Sequence, residues 1–229
     1  MCRKIQPDYL SPSRLNLWLR CPLAFRLRYI EGIRSPPSAA MFLGKQVHDA
    51  LEVFYRHRQL GVELPVETVL QRISDCWESA AEAEGVQFDS LDAEAKTRQQ
   101  AHDLVHLYLQ DMANSTDTPL AVETTLEQPL IDPANGEDLG IPLPGIADLV
   151  LDERDGPLIV DFKTASRAAA PFEVTHEIQL SCYSYLYRQA AGQQEGGLEI
   201  RSLIKTKTPK QLEADFDRLR DCQRLGELG

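Results

Sequence analysis

Two carboxylates and an ammonium group lie close together in the stretch from Gly145 to Thr164, GIADLVLDERDGPLIVDFKT. The stretch reads as two apolar strands, Ile146 to Leu151 and Leu158 to Phe162, joined by the polar turn Asp152-Glu153-Arg154-Asp155-Gly156. A hairpin folded about the Arg154/Asp155 midpoint sets Asp148 opposite Asp161. Side chains alternate along a strand, so Asp161 and Lys163 share one face and Phe162 points to the other. Like charges directly across a ladder destabilise it, and carboxylates inside apolar strands are costly unless paired or bound to metal. A divalent cation held by both aspartates, with Lys163 beside it, removes that cost and outlines a hydrolytic metal site. The ordinary alternative is a surface pair of Asp161 and Lys163, worth less than about 1 kcal/mol; the apolar flanks and Asp148 weigh against it.

Several elements must position this hairpin. Ser11-Pro12-Ser13 offers an N-cap, and Arg14 to Arg20 reads as a short amphipathic helix with Leu15, Trp18 and Leu19 inward. Pro22, favourable at a first helical position, starts a second helix that runs to Gly32. After the loop Ser35-Pro36-Pro37-Ser38, a helix from about Ala39 to Leu60 carries Leu43, Val47, Leu51 and Phe54 on one stripe. His48 falls beside that stripe, level with Gly44 and Glu52. Two more helices are expected, at about Val66 to Glu84 and Ala93 to Met112. The pattern changes near Asn114: Leu120 to Leu130 reads as a strand, then comes a loop rich in Pro, Asn, Gly and Asp, then the hairpin. A helix from about Pro171 to Ala191 and a strand from Leu198 to Lys207, stopped by Pro209, complete the order. Strands flanked by helices argue for a mixed α/β core with a helical N-terminal lobe.

A chain of 229 residues with 43% hydrophobic content supports one substantial core and reads as a single domain over 1–229. Its expected parts are a helical N-terminal lobe over 1–115, an α/β catalytic core over 116–210 and a C-terminal tail over 211–229. No run of eighteen apolar residues is present, so no membrane partner is expected, and MCRKIQPDYLSPSR lacks the apolar centre of a secretory signal. The five cysteines are scattered and odd in number, which suits reduced thiols and a cytoplasmic location. A net charge of −11 argues superficially against nucleic acid. Its distribution argues otherwise: residues 1–60 hold ten Lys/Arg against four Asp/Glu, whereas 61–140 hold three against seventeen. A basic patch steers an anionic ligand even on an acidic molecule.

These residues resemble the PD-(D/E)xK nuclease superfamily, and within it the RecB-like exonuclease branch. GIAD with Asp148 and IVDFKT with Asp161 and Lys163 match its catalytic strands. LSPSRLNLWLRCPLAFRLRYI is similar to its N-terminal segment, FLGKQVHDALEVFY to its histidine helix and EIQLSCYSYLY to its last helix, all in the family's order over roughly residues 10–210. The resemblance implies a restriction-endonuclease-like mixed sheet flanked by helices. It implies that His48, Asp148, Asp161 and the Phe162 carbonyl hold Mg²⁺ or Mn²⁺, and that Lys163 positions the attacking water or neutralises charge on the phosphate. Gln179 and Tyr183 would contact DNA or steady Lys163, with packing by Tyr183, Tyr185 and Tyr187 an open alternative. Glu123 is a weaker candidate for an accessory contact and reads more as structural. Lys205, Lys207 and Lys210 fit either a phosphate track or a solvated strand edge.

Some members of that branch hold an iron–sulfur cluster through one cysteine in the CP segment and three near the C-terminus. Cys21 matches the first position, but only Cys222 follows in RLRDCQRLGELG. Such clusters need four ligands, so the sequence does not support one, and Cys21 reads as a buried thiol capping the junction before Pro22. The leading function is a metal-dependent DNA nuclease, an exonuclease acting in DNA repair or recombination. No helicase signature is present, so a separate helicase or recombination protein would supply any motor. One alternative is a catalytically silent DNA-binding or assembly module of the same fold, against which the intact His48, Asp148, Asp161 and Lys163 count. Another is a metal hydrolase with a small anionic substrate, against which the basic first sixty residues count.

Overall fold

The computed structural model describes residues 7–166, 174–205 and 210–215, the last six and 174–176 by backbone alone. Its elements follow the chain as α1 (Pro12–Arg20), α2 (Pro22–Phe25) running into a π-helical turn (Arg26–Ile30), α3 (Ala39–Gln59), α4 (Val66–Glu84) and α5 (Leu91–Asp111). The strands are β1 (Pro119–Ile131), β2 (Asp138–Leu151), β3 (Leu158–Ala165), β4 (Gly197–Ile204) and β5 (Lys210–Asp215), with α6 (Val174–Ala191) between β3 and β4. They form one five-stranded sheet in the order β1-β2-β3-β4-β5. β2 and β4 flank β3, the first antiparallel and the second parallel to it, while β5 runs antiparallel to β4. The sheet is therefore mixed, and the α/β class expected from the pattern is the one observed. Among the described residues no helix is long and apolar enough to cross a membrane.

The chain divides into two units, Met1–Arg34 with Thr124–Ala147 and Phe172–Glu195, and Ser35–Glu123 with Asp148–Pro171 and Gly196–Gly229. In the second unit, α3, α4 and α5 bury Phe42, Leu51, Trp77, Leu104 and Tyr108 together with Leu149, Val160 and Phe162 of the sheet. Local signals set the helix limits. Ser38 and Ser90 cap α3 and α5 by accepting from the Met41 and Ala93 amides. Gly85, at φ +66°, ends α4 in the left-handed conformation that costs glycine little. In the first unit α6 crosses β2 at Gly145, where an added Cβ would lie 2.6 Å from Leu186 Cδ1; the missing side chain permits that approach.

Four expectations need correction. Strand β2 begins at Asp138 rather than at Ile146, so the loop before it is short. Gly140 and Gly145 interrupt the alternation that marks a strand, and Pro142 and Pro144 lack ladder donors, which hides this half of β2. Trp18 and Leu19 of α1 are not inward but 50% and 65% exposed. β5 occupies KQLEAD, where no strand was expected and where the tail was to begin. The helix from Pro22 becomes π-helical at Arg26. The start of the Pro171 helix, the Lys207 end of the Leu198 strand, the side chain of Lys210, Cys2, Cys222 and the tail beyond Asp215 lie outside the described residues.

Candidate metal centre

The second unit carries the centre, and its assembly begins with a glycine. On α3, Gly44 precedes His48 by one turn, and a Cβ at Gly44 would lie 2.8 Å from Thr164 Oγ1 of β3. The bare backbone lets α3 approach β3 and brings His48 over the strand. There the imidazole meets the Phe162 ring edge-on, with centroids 6.2 Å apart at 88°. Tyr55, seven residues further along the same helix, stacks on that ring at 6.0 Å, and Tyr108 of α5 meets it edge-on at 5.5 Å. Phe162 is thus fixed by aromatic neighbours on its buried side.

The hairpin supplies the carboxylates. Its register pairs Leu149 with Val160, Val150 with Ile159 and Leu151 with Leu158. Continued by one residue, it sets Asp148 opposite Asp161, as the turn midpoint predicts. Asp148 Oδ2 accepts the Phe162 amide hydrogen at 2.7 Å. Asp161 is only 1% exposed, and Lys163 Nζ lies 2.5 Å from its Oδ2. A surface ion pair is therefore excluded. The His48 Nδ1 to Asp148 Oδ2 distance is 3.6 Å, too long for a hydrogen bond.

Glu123 completes the group. One ligand atom from each of His48, Glu123 and Asp148 lies within 4.8 Å of the others. Glu123 has φ +45°, in the left-handed region that a non-glycine residue enters at a cost. Its carboxyl is pushed up to about 7, by burial first and then by Asp148. Asp148 is likewise pushed up to about 7, by burial and by Asp161, against the opposing pull of Lys163 and the Phe162 amide. Burial and then Lys163 lower the His48 pKa, while Asp161, Glu123 and the Phe162 carbonyl work the other way. The ring is therefore neutral near pH 7, with a lone pair to offer. Mutually repelling oxygens around a neutral imidazole form a donor set that fits a hard divalent cation.

The structure brings together His48, Asp148, Asp161, Phe162 and Lys163 within the second unit. It groups His48 and Asp148 with Glu123, and it holds the Asp161 carboxylate on Lys163. Glu123 is the residue that sequence reasoning underrated; a lone acid in the apolar opening of β1 was its signal. Gln179 and Tyr183 lie in the first unit, where Gln179 Nε2 donates to Tyr183 Oη at 2.8 Å and Tyr183 is buried. Tyr185 Oη donates to the Pro129 carbonyl at 2.5 Å. Cys21 does cap the second helix, its Sγ accepting from the Ala24 amide at 3.4 Å, but it is half-buried rather than buried.

A family model described as the PD-(D/E)XK nuclease superfamily matches residues 9–225. The chain belongs to this superfamily. Among solved structures, a candidate exonuclease of Eubacterium rectale superposes with a TM-score of 0.60 at 16% identity, covering 97% of this chain and 79% of its own. That likeness shows a shared fold. A second structure, SSO0001, reaches a TM-score of 0.34 at 14% identity over 91% of this chain and 85% of its own, too distant in shape to support an argument. No curated protein matches. Asp148 lies on β2, and Asp161 and Lys163 lie on the adjacent β3.

Proposed function

We propose that this chain is a metal-dependent DNA nuclease of the RecB-like branch, an exonuclease that hydrolyses phosphodiester bonds in repair or recombination. The supporting observation is the His48, Glu123 and Asp148 cluster within 4.8 Å, beside the buried Asp161–Lys163 pair. His48, Glu123, Asp148 and Asp161, with the Phe162 carbonyl, would hold Mg²⁺ or Mn²⁺. A divalent ion there supplies Lewis-acid polarisation of a phosphoryl oxygen and lowers the pKa of water.

The residues of the chain do the rest. Asp148 is oriented by the Phe162 amide, which binds the same Oδ2 that lies 3.6 Å from His48 Nδ1. Lys163, 29% exposed, keeps a cation at the rim of the centre, where it neutralises charge growing on a phosphate and orients the attacking water. Gln179 and Tyr183, which hold one another, would contact the DNA strand. The reading takes the whole chain as one cytoplasmic nuclease domain, with any motor activity supplied by a separate helicase or recombination protein.

End-labelled single- and double-stranded DNA incubated with Mg²⁺, Mn²⁺ or EDTA tests this. Wild type should shorten the DNA only with metal, and Lys163→Ala should lower the rate by at least about a hundredfold. Wild-type protein that binds DNA yet cuts nothing under either metal would instead favour a silent binding module.

A further inference from the structure

The first unit exposes a face that the nuclease reading does not use. Within residues 14–34 there are five arginines and a single carboxylate, Glu31, in a chain whose net charge is −11. Glu31 is already engaged by Arg26 at 2.7 Å. Arg20, Arg28 and Arg34 are exposed on the same run. Between them large apolar side chains stand in solvent: Trp18 is 50% exposed, Leu19 65%, Leu23 62% and Ile33 60%. Leu23, Leu27 and Ile30 recur every three or four residues along the second helical run, and Leu19 stands exposed at the end of α1 just before it. Aromatic contacts stiffen the base of this face, with Phe25 meeting Trp18 edge-on at 5.4 Å and Tyr29 at 5.3 Å. Arg14 lies over Tyr9 and Tyr29, at 3.7 and 4.6 Å from their ring centres. The last part of the run is π-helical, a geometry that recurs at functional sites.

A contiguous exposed apolar patch marks an interaction surface, and its charge selects the partner. Double-stranded DNA offers phosphates but keeps its bases stacked inside, so it satisfies the arginines and leaves Trp18 and the leucines in water. A second copy of this face would set arginine against arginine. Single-stranded nucleic acid offers both parts at once: a phosphate chain for arginine and unstacked base faces for an exposed indole and its apolar neighbours.

We propose that the face formed by Trp18, Leu19, Arg20, Leu23, Arg28 and Arg34 binds single-stranded nucleic acid. The proposal rests on the nuclease reading and adds to it a strand preference and a second contact surface. Phosphates lie along the arginines, and at least one base stacks on Trp18.

The chain has two tryptophans, and the other, Trp77, is fully buried with its Nε1 donating to Glu94. Fluorescence quenching therefore reports Trp18 directly. The test is a titration, in EDTA, of the full chain with a mixed-sequence DNA strand of about 20 nucleotides, longer than the roughly 4–16 that one such surface covers. Its blunt duplex is titrated in parallel. Quenching by the single strand alone is expected; affinity, read in every variant by the anisotropy of a fluorescein-labelled strand, should fall on the order of tenfold in Trp18→Ala and be largely kept in Trp18→Phe. Arg20→Ala with Arg28→Ala should weaken binding and flatten its salt dependence. Circular dichroism checks that each variant is folded.

Single-strand binding without quenching, unchanged in all three variants, would overturn the proposal and leave the face to an acidic protein partner. Equal quenching by the duplex would overturn the strand preference. Mn²⁺-dependent cleavage by the same preparations separates the two readings. A wild type that cuts DNA but shows no role for the face refutes this inference alone, whereas one that neither cuts nor binds refutes both.

Discussion

Around Arg201 of β4 every charge meets an opposite charge or a hydroxyl, whereas around His48 carboxylate faces carboxylate. Arg201 is 5% exposed; its Nη1 reaches Asp117 at 2.8 Å, Tyr108 Oη at 3.0 Å and Tyr55 Oη at 3.2 Å, and its Nε reaches Glu199 at 2.8 Å. The two tyrosine hydroxyls lie 2.5 Å apart. Both regions belong to the second unit and both touch Phe162, which Arg201 adjoins in register across β3 and β4. One is a closed network that ties α3, α5 and the approach to β1 onto the sheet. The other leaves Glu123 and Asp148, both pushed up to about 7, to repel each other. A network satisfied throughout makes structure rigid, while a cluster whose charges conflict is held in place by its surroundings and answers to a ligand. The second depends on the first.

The largest effect should come from Arg201→Met. It strands Asp117 and Glu199 without their cation, and breaking a buried pair from one side costs about 3–5 kcal/mol. Urea unfolding should show that loss, and a cost below about 1 kcal/mol would mean that the network is not what fastens these elements.

Glu123→Gln should act in the opposite sense. Removing one repelling charge should raise the stability of the metal-free protein by about 0.5–2 kcal/mol. Calorimetric titration should show Mn²⁺ affinity lower by at least about tenfold. Unchanged affinity would take Glu123 out of the ligand set, and lost stability would erase the contrast between the two regions.

The smallest effect is one of pH. Burial alone would raise the Asp117 carboxyl, but hydrogen bonds from Arg201 and Ser115 outweigh it and hold the group below the usual carboxylate range. A depressed folded value means that its stabilisation is complete above the unfolded value, about 4, and is lost as pH falls through the lower folded one. Unfolding free energy measured from pH 5 down to pH 2 should therefore fall less steeply in Asp117→Asn than in wild type.

Much of the candidate site was legible because its frame obeys simple periods. The two-residue alternation of Ile146–Leu151 and Leu158–Phe162 about one turn sets the Asp148–Asp161 register, and the helical period puts Gly44, His48 and Glu52 on one side of α3. What escaped breaks those periods or depends on distant partners. Glu123 sits at φ +45°, where strand alternation no longer says which way a side chain points. Arg201 carries no local signal of its network, because its partners Tyr55, Tyr108 and Asp117 lie far away in the chain. Trp18 and Leu19 show that an apolar stripe marks a sided helix without revealing whether anything covers it.

One residue, Phe162, couples the two sides of the candidate metal centre. The Phe162 amide holds Asp148, while the Phe162 carbonyl faces the His48 ring. The two groups belong to successive flat peptides that meet at the Phe162 Cα, and the ring borne by that Cα is clamped between Tyr55, Tyr108 and His48. Residue 162 therefore works as a shared pivot: displacing its clamped Cα moves both peptides that meet there, so the aspartate and the histidine are disturbed together.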